Sequence, residues 1–258
     1  MSEIAFVENN KRLYFNWVPN ALIHPRQAFR SIASAPHAIW LTPLLLLSCL
    51  ALINVLLAGR LKNQEALTGE LSYPANYQYY TPEQQAQYTQ AVQSSRGPVF
   101  VYILPAITSL LGIWFGWLIL GGILHLVTTL LGGRGSTVIS MNIVGWGSLP
   151  FAIRALIQVL YLLITNKLIS SPGLSGFSPI GNAGWIVFTG LFFRLLDIYI
   201  IWHVLLLILG VRLSTGLNTT KSSFGVIFAV LIILFLQTGL SYLGSVLGNL
   251  TITRPFFF

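Results

Sequence analysis

Five long apolar stretches, at about residues 38–58, 100–131, 143–164, 183–209 and 223–248, constrain this chain more than any other feature. Crossing about 30 Å of hydrocarbon takes roughly 20 helical residues, and each stretch meets that length. Hydrocarbon offers no partner to a backbone N–H or C=O, so such stretches must satisfy their own backbone as helices. The sequence predicts an all-α, polytopic membrane helical bundle with about five transmembrane helices. Composition agrees: the mean hydropathy is +0.75 and only 8% of residues are charged, against about 25% in a soluble domain.

Polar stretches are confined to the N-terminus and to residues 59–97, so one membrane domain is expected. Residues 1–37 read as a cytosolic N-terminal segment with an interfacial helix, 38–250 as the five-span domain with 59–97 as an extracytoplasmic loop, and 251–258 as a C-terminal tail. The first 37 residues lack the pattern of a secretory signal, so the first span is expected to stay in the mature protein. Pro105 is placed to kink the second span or to divide it from an interfacial part. Residues His24 to Ala33 alternate basic and apolar side chains, as suits a short helix on the membrane surface, with Trp17 and Trp40 as anchors at headgroup level. In the 59–97 loop, Thr81-Pro82-Glu83-Gln84 carries a cap, a first-turn Pro and a capping-box Gln, the start of an exposed helix.

The formal net charge is +8 and the pI about 9.9. In a soluble protein that balance points to nucleic acid; here the basic residues flank apolar spans, so they set topology and meet anionic headgroups, and no nucleic-acid partner is expected. One side of the membrane receives Lys11, Arg12, Arg26, Arg30, Arg134, Arg212 and Lys221. The other receives Arg60, Lys62, Arg96, Lys167 and Arg254, together with Glu65, Glu70 and Glu83. This asymmetry places the N-terminus in the cytosol and the C-terminus outside. Cys49 is the single cysteine, which excludes an intramolecular disulfide and a Cys-based metal motif.

The chain repeats itself at an offset of 78 residues: His125, Leu131, Gly132, Arg134, Ser136 and Thr137 align with His203, Leu209, Gly210, Arg212, Ser214 and Thr215. Each copy reads as a membrane helix, a tight cytosolic turn and a return helix, giving two parallel helical-hairpin repeats. The Gly after each helix suits a left-handed cap, and the Arg that follows meets the negative helix end. Arg26, Arg30, Arg134, Arg212 and Lys221 are the candidate contacts for lipid or a partner.

Arg154, Arg194 and Asp197 fall mid-membrane, where each costs about 2.5–3.5 kcal/mol on an insertion scale. Arg194 and Asp197, three apart, are expected to pair on one helical face, with Arg154 joining from the neighbouring span. This cluster reads as a structural ion network or, alternatively, as an ion site. His125 and His203 occupy matching repeat positions and read as a polar pair bonded to neighbouring helices, with bis-histidine haem ligation as the alternative. Gly112-x-x-x-Gly116 and Gly244-x-x-x-Gly248 permit close packing inside the chain or between copies, so a homo-oligomer is open. No phosphate loop, His-Glu-x-x-His or Gly-x-Ser-x-Gly motif is present, and five of the six acids lie outside the spans. No catalytic residue, metal ligand set or cofactor is assigned.

Three further segments carry a resemblance: the presegment from Pro25 to Pro36, the turn Leu131-Gly132-Gly133-Arg134-Gly135-Ser136, and Gly145-Trp146-Gly147-Ser148-Leu149-Pro150 opening the third span. With Trp202 to Gly210 closing the fourth, the chain resembles the Yip family of multi-pass, Rab-interacting-protein-like membrane proteins over most of residues 20–250. The resemblance implies a five-span helical protein with a cytosolic N-terminus, acting in membrane organisation, trafficking or assembly rather than catalysis. The short N-terminal segment favours a prokaryotic-type member in the cell membrane, with the eukaryotic secretory pathway as the alternative. The expected function is a non-enzymatic scaffold or accessory subunit, in contact with the bilayer and a membrane-protein partner. A small permease or channel subunit using the Arg/Asp site is the alternative.

Overall fold

The structure, a computed structural model, describes residues 13–67, 77–94, 97–169, 171–179, 181 and 183–248. Lys11, Arg12, Glu70, Arg96, Arg254 and the 251–258 tail, used above for topology and domain limits, lie outside the described residues. The described chain is helical, without strands. The helices are α1 (Trp17–Ile23), α2 (Pro25–Ser34), α3 (Leu41–Leu67), α4 (Pro82–Ser94), α5 (Leu104–Leu130), α6 (Thr137–Gly147), α7 (Leu149–Thr165), α8 (Gly184–Leu195), α9 (Ile198–Thr215) and α10 (Thr219–Gly248). Five segments are long and apolar enough to cross a membrane: Leu41–Gln64, Val99–Leu130, Thr137–Thr165, Ile198–Thr215 and Thr219–Val246.

Local chemistry accounts for most of the boundaries. At α4 the capping box forms reciprocally, Gln84 N donating to Thr81 Oγ1 at 3.3 Å and Thr81 N to Gln84 Oε1 at 3.0 Å. The helix of the first span, α3, runs on through Leu67, past the expected end at 58. Ahead of α5 a π-turn covers Val99–Ile103, beside Pro105, whose missing N–H interrupts the regular ladder one turn back. The third span is two helices. Pro150 has no N–H for the carbonyl of Trp146, and the chain restarts after Ser148, whose Oγ donates to Gly145 O at 2.6 Å.

The fourth span departs most from expectation. A continuous helix over 183–209 was predicted, but α8 ends at Leu195, Leu196 is extended at φ −89° and ψ 115°, and α9 begins at Ile198. Only α9 has the length of a crossing helix. Nothing in Leu195-Leu196-Asp197-Ile198 breaks a helix sterically; the break is held by groups from elsewhere in the chain, described below.

The chain divides into two compact units. Unit 1 comprises Met1–Leu45, Trp117–Leu149 and Trp202–Val230, and unit 2 Leu46–Gly116, Pro150–Ile201 and Leu231–Phe258. In unit 1, Asn142 and Trp146 lie one turn apart on α6 and are fully buried. Asn142 Oδ1 accepts from Ile39 N at 2.8 Å, its Nδ2 donates to His37 O at 3.0 Å, and Trp146 Nε1 donates to Ile39 O at 3.1 Å. These bonds fix the link between α2 and α3. The amphipathic presegment does form a helix, with Arg26, Gln27, Arg30 and Ser31 exposed and Ala28, Phe29 and Ile32 buried. Its apolar face seats on the protein rather than entering lipid, because Phe29 fills the notch at Gly210. Trp17 and Trp40 pack against Trp146 and Trp117, at centroid distances of 5.9 and 4.3 Å.

The two repeat turns differ. Gly132 adopts φ +90°, the left-handed cap expected after the first helix. Gly210 does not; α9 continues through it to Thr215, and Gly216, at φ +71°, follows that helix end. Gly210 serves packing instead: a Cβ there would stand 2.6 Å from Ile143 Cγ2 and 2.8 Å from Phe29 Cδ1. Gly244, by contrast, has nothing within 4 Å of a built Cβ, so no packing inside the described chain needs it. Gly210→Leu is expected to cost about 1–3 kcal/mol by overpacking, while Gly244→Ala is neutral or stabilises by up to about 1 kcal/mol through helix propensity. Thermal unfolding in detergent, followed by tryptophan fluorescence, compares the two.

Candidate functional site

Two features remain once the packing is accounted for, one in each unit. In unit 1 the five candidate contact residues Arg26, Arg30, Arg134, Arg212 and Lys221 are all exposed. The segments that bear them are tied together. Arg134 N donates to Thr215 O at 3.0 Å, joining the first turn to the end of α9. Lys221 Nζ donates to Leu131 O at 3.2 Å, placing a cation at the carbonyl end of α5, where the helix dipole favours it. Phe29, over Gly210, brings α2 with Arg26 and Arg30 to the same end of α9 as Arg212. Among the described residues of unit 1 every Lys, Arg, Asp or Glu is a cation.

The matched histidines do not share surroundings. His203 is buried, and its Nδ1–H donates to Gly147 O at 2.7 Å, meeting a carbonyl at the end of α6 where Pro150 upsets the ladder. His125, half-buried on α5, has an Nδ1 with no partner among the described residues. The His203 bond links α9 to the end of α6.

Unit 2 carries the three charges expected at mid-membrane: Arg154 lies inside the crossing segment Thr137–Thr165, whereas Arg194 and Asp197 precede the one that begins at Ile198. The expected Arg194–Asp197 pair is replaced by another: Arg154 NH1 donates to Asp197 Oδ2 at 2.7 Å. The helix break is the reason, since the extended Leu196 removes the i,i+3 geometry that would bring residues 194 and 197 together. Asp197 becomes the N-cap of α9, its Oδ1 accepting from Tyr199 N and Ile200 N, both at 2.9 Å. The carbonyls freed by the break are met from the 172–178 loop, Leu174 N donating to Phe193 O at 2.9 Å and to Leu196 O at 3.0 Å. Gly173, at φ +61°, allows that approach, because a Cβ there would lie 2.7 Å from the carbonyl oxygens of Arg194 and Leu196.

These groups surround a cavity of about 580 Å³, within the range of small-molecule sites. Arg154, Arg194 and Asp197 all line it, as do Asn54, Gln158 and Gln237, so the three residues predicted as a cluster do share one space. Asn54 Nδ2 donates to Gln158 Oε1 at 3.1 Å. Gly173 was not singled out from the sequence, although Pro172-Gly173 after a span is a visible turn signal. Gln158 and Gln237 were visible as polar residues inside spans.

The fold thus defines a polytopic all-α integral membrane protein with five apolar spans, the fourth preceded by a short discontinuous helix. The family model described as the Yip1 domain matches residues 20–240, and the chain belongs to that family. Comparison with curated proteins and with solved structures gave no match.

Asp197→Asn keeps a cap acceptor but leaves Arg154 without its counter-charge, at a cost on the order of 3 kcal/mol. Asp197→Ala removes the cap as well and should cost about 1 kcal/mol more. The double change Arg154→Met with Asp197→Asn should recover much of the loss. Denaturant midpoints in detergent measure all three.

Proposed function

We propose that the protein is a non-enzymatic membrane scaffold or accessory subunit that presents the basic end of unit 1 to anionic lipid headgroups and to a membrane-protein partner. One observation carries this reading: Arg26, Arg30, Arg134, Arg212 and Lys221 are exposed on mutually fastened segments, with no acid among the described residues of that unit. A fixed array of cations attracts a negative surface by about 1 kcal/mol per residue near an anionic membrane. Its rigidity lowers the ordering cost of docking. On this reading that end faces the cytosol, in keeping with the positive-inside tendency, and the membrane is the cell membrane. Membership of the Yip1 domain family supports a role in membrane organisation, trafficking or assembly rather than catalysis.

Mild-detergent pull-down of the full chain with mass spectrometry tests the proposal. The expected result is a reproducible co-purifying membrane protein whose recovery falls when Arg134 and Arg212 are both replaced by Gln, with the unfolding midpoint unchanged because both side chains are exposed. Recovery of the chain alone as a monodisperse species, under conditions that preserve other complexes, would count against a scaffold.

A further inference from the structure

Gln237 lies in the fifth span, is only 2% exposed and lines the unit 2 cavity, yet neither its Nε2 nor its Oε1 has a partner among the described residues. A buried amide left in that state costs about 1–3 kcal/mol per unmet group, so buried polar atoms are normally paired. Opposite charges in the same lining do not cancel either. Arg154 and Asp197 neutralise each other, while Arg194 leaves a positive charge facing the cavity. Among the described residues Arg194 has no ion-pair partner. Around these groups the walls are aliphatic, with Leu47, Ile113 and Leu162 among them.

We infer that this cavity is a binding site for an oxyanion, a phosphate or a carboxylate, attached to an apolar body. Arg194 supplies the charge that Asp197 does not answer, and Arg154 is held by Asp197 at the edge of the same space. The Gln237 amide contributes one donor and one acceptor to the neutral part of the ligand next to the anion. An apolar body displaces water from the aliphatic wall, which an inorganic ion does not do. The same chemistry is offered by an anionic lipid headgroup with its proximal acyl carbons and by a free amphiphilic acid. The break between α8 and α9 places the site just ahead of a crossing helix, where irregular backbone is tolerated because it lines a cavity.

The test uses purified full-length protein with three probes. Native mass spectrometry after release from nanodiscs of phosphatidylcholine and phosphatidic acid reads retained lipid. Thermal-shift titrations with octyl phosphate and with inorganic phosphate read free anions. The expected result is one retained phosphatidic acid, or saturable stabilisation by octyl phosphate with weaker stabilisation by inorganic phosphate; the first outcome assigns a lipid and the second a free amphiphile. Arg194→Gln should weaken the bound probe by about tenfold, as expected for loss of one charge-assisted hydrogen bond. Gln237→Leu should weaken it several-fold while raising the melting temperature of the unliganded protein, since it removes an unmet buried amide. Replacing Arg134 and Arg212 with Gln should leave this site's occupancy unchanged, which separates it from the basic end of unit 1. Binding unaffected by both Arg194→Gln and Gln237→Leu, or no binding of any probe by the folded protein, would overturn the inference.

Discussion

The Arg154–Asp197 ion pair answers a demand that the apolar medium makes on the rest of unit 2. A helix interrupted inside a hydrophobic segment exposes carbonyls at one broken end and N–H groups at the other, and neither can turn to water. Asp197 meets the N–H groups at the start of α9, and Leu174 N–H meets the carbonyls of Phe193 and Leu196 at the end of α8. The carboxylate that caps the helix is itself a buried charge, and Arg154 compensates it at 2.7 Å. Cap, ion pair and loop therefore form one set, in which removing any member leaves another unsatisfied. The pair is partly shielded, with side chains 13% and 14% exposed, so its charges interact through a medium less polar than water.

The internal repeat shows how one motif acquires two uses. In the first copy Gly132 turns the chain, and Ser136 caps α6 by accepting from Ile139 N. In the second copy the equivalent Gly210 stays helical and receives the ring of Phe29, and the turn moves down to Gly216. Asn218 then accepts from Lys221 N at the start of α10. Arg134 and Arg212, equivalent in sequence, thus leave the chain from a turn and from a helix. The repeat supplies matching residues; the presegment, which packs on the second copy through Phe29, separates their roles.

The parts of the fold legible in the sequence depend on local chemistry. The spans follow from length and apolarity, the start of α4 from the Thr81 and Gln84 spacing, and the amphipathic character of α2 from the alternation around Phe29. The break in the fourth span was hidden because its cause is not local. Leu195-Leu196-Asp197-Ile198 contains neither Gly nor Pro, and the groups that stabilise the break come from Arg154 and Leu174. One local signal was available: an Asp amid apolar residues is a poor interior helix residue but a good cap. Likewise, the nearness of Arg154 to Arg194 and Asp197 was foreseeable from their places in neighbouring apolar stretches, whereas the identity of the ion pair required the broken geometry.

The pinning of the α2–α3 link by Asn142 and Trp146 also bears on the order in which the chain is completed. Ile39 bonds to residues 103 and 107 positions further along. During synthesis the first span is therefore available long before its cap of polar contacts exists. Until the third span has been made, the backbone around His37 and Ile39 has water or lipid headgroups as its only company. Helix α2 acquires its final seat later still, when Gly210 arrives. A helix made before any of the spans is among the last to be fixed.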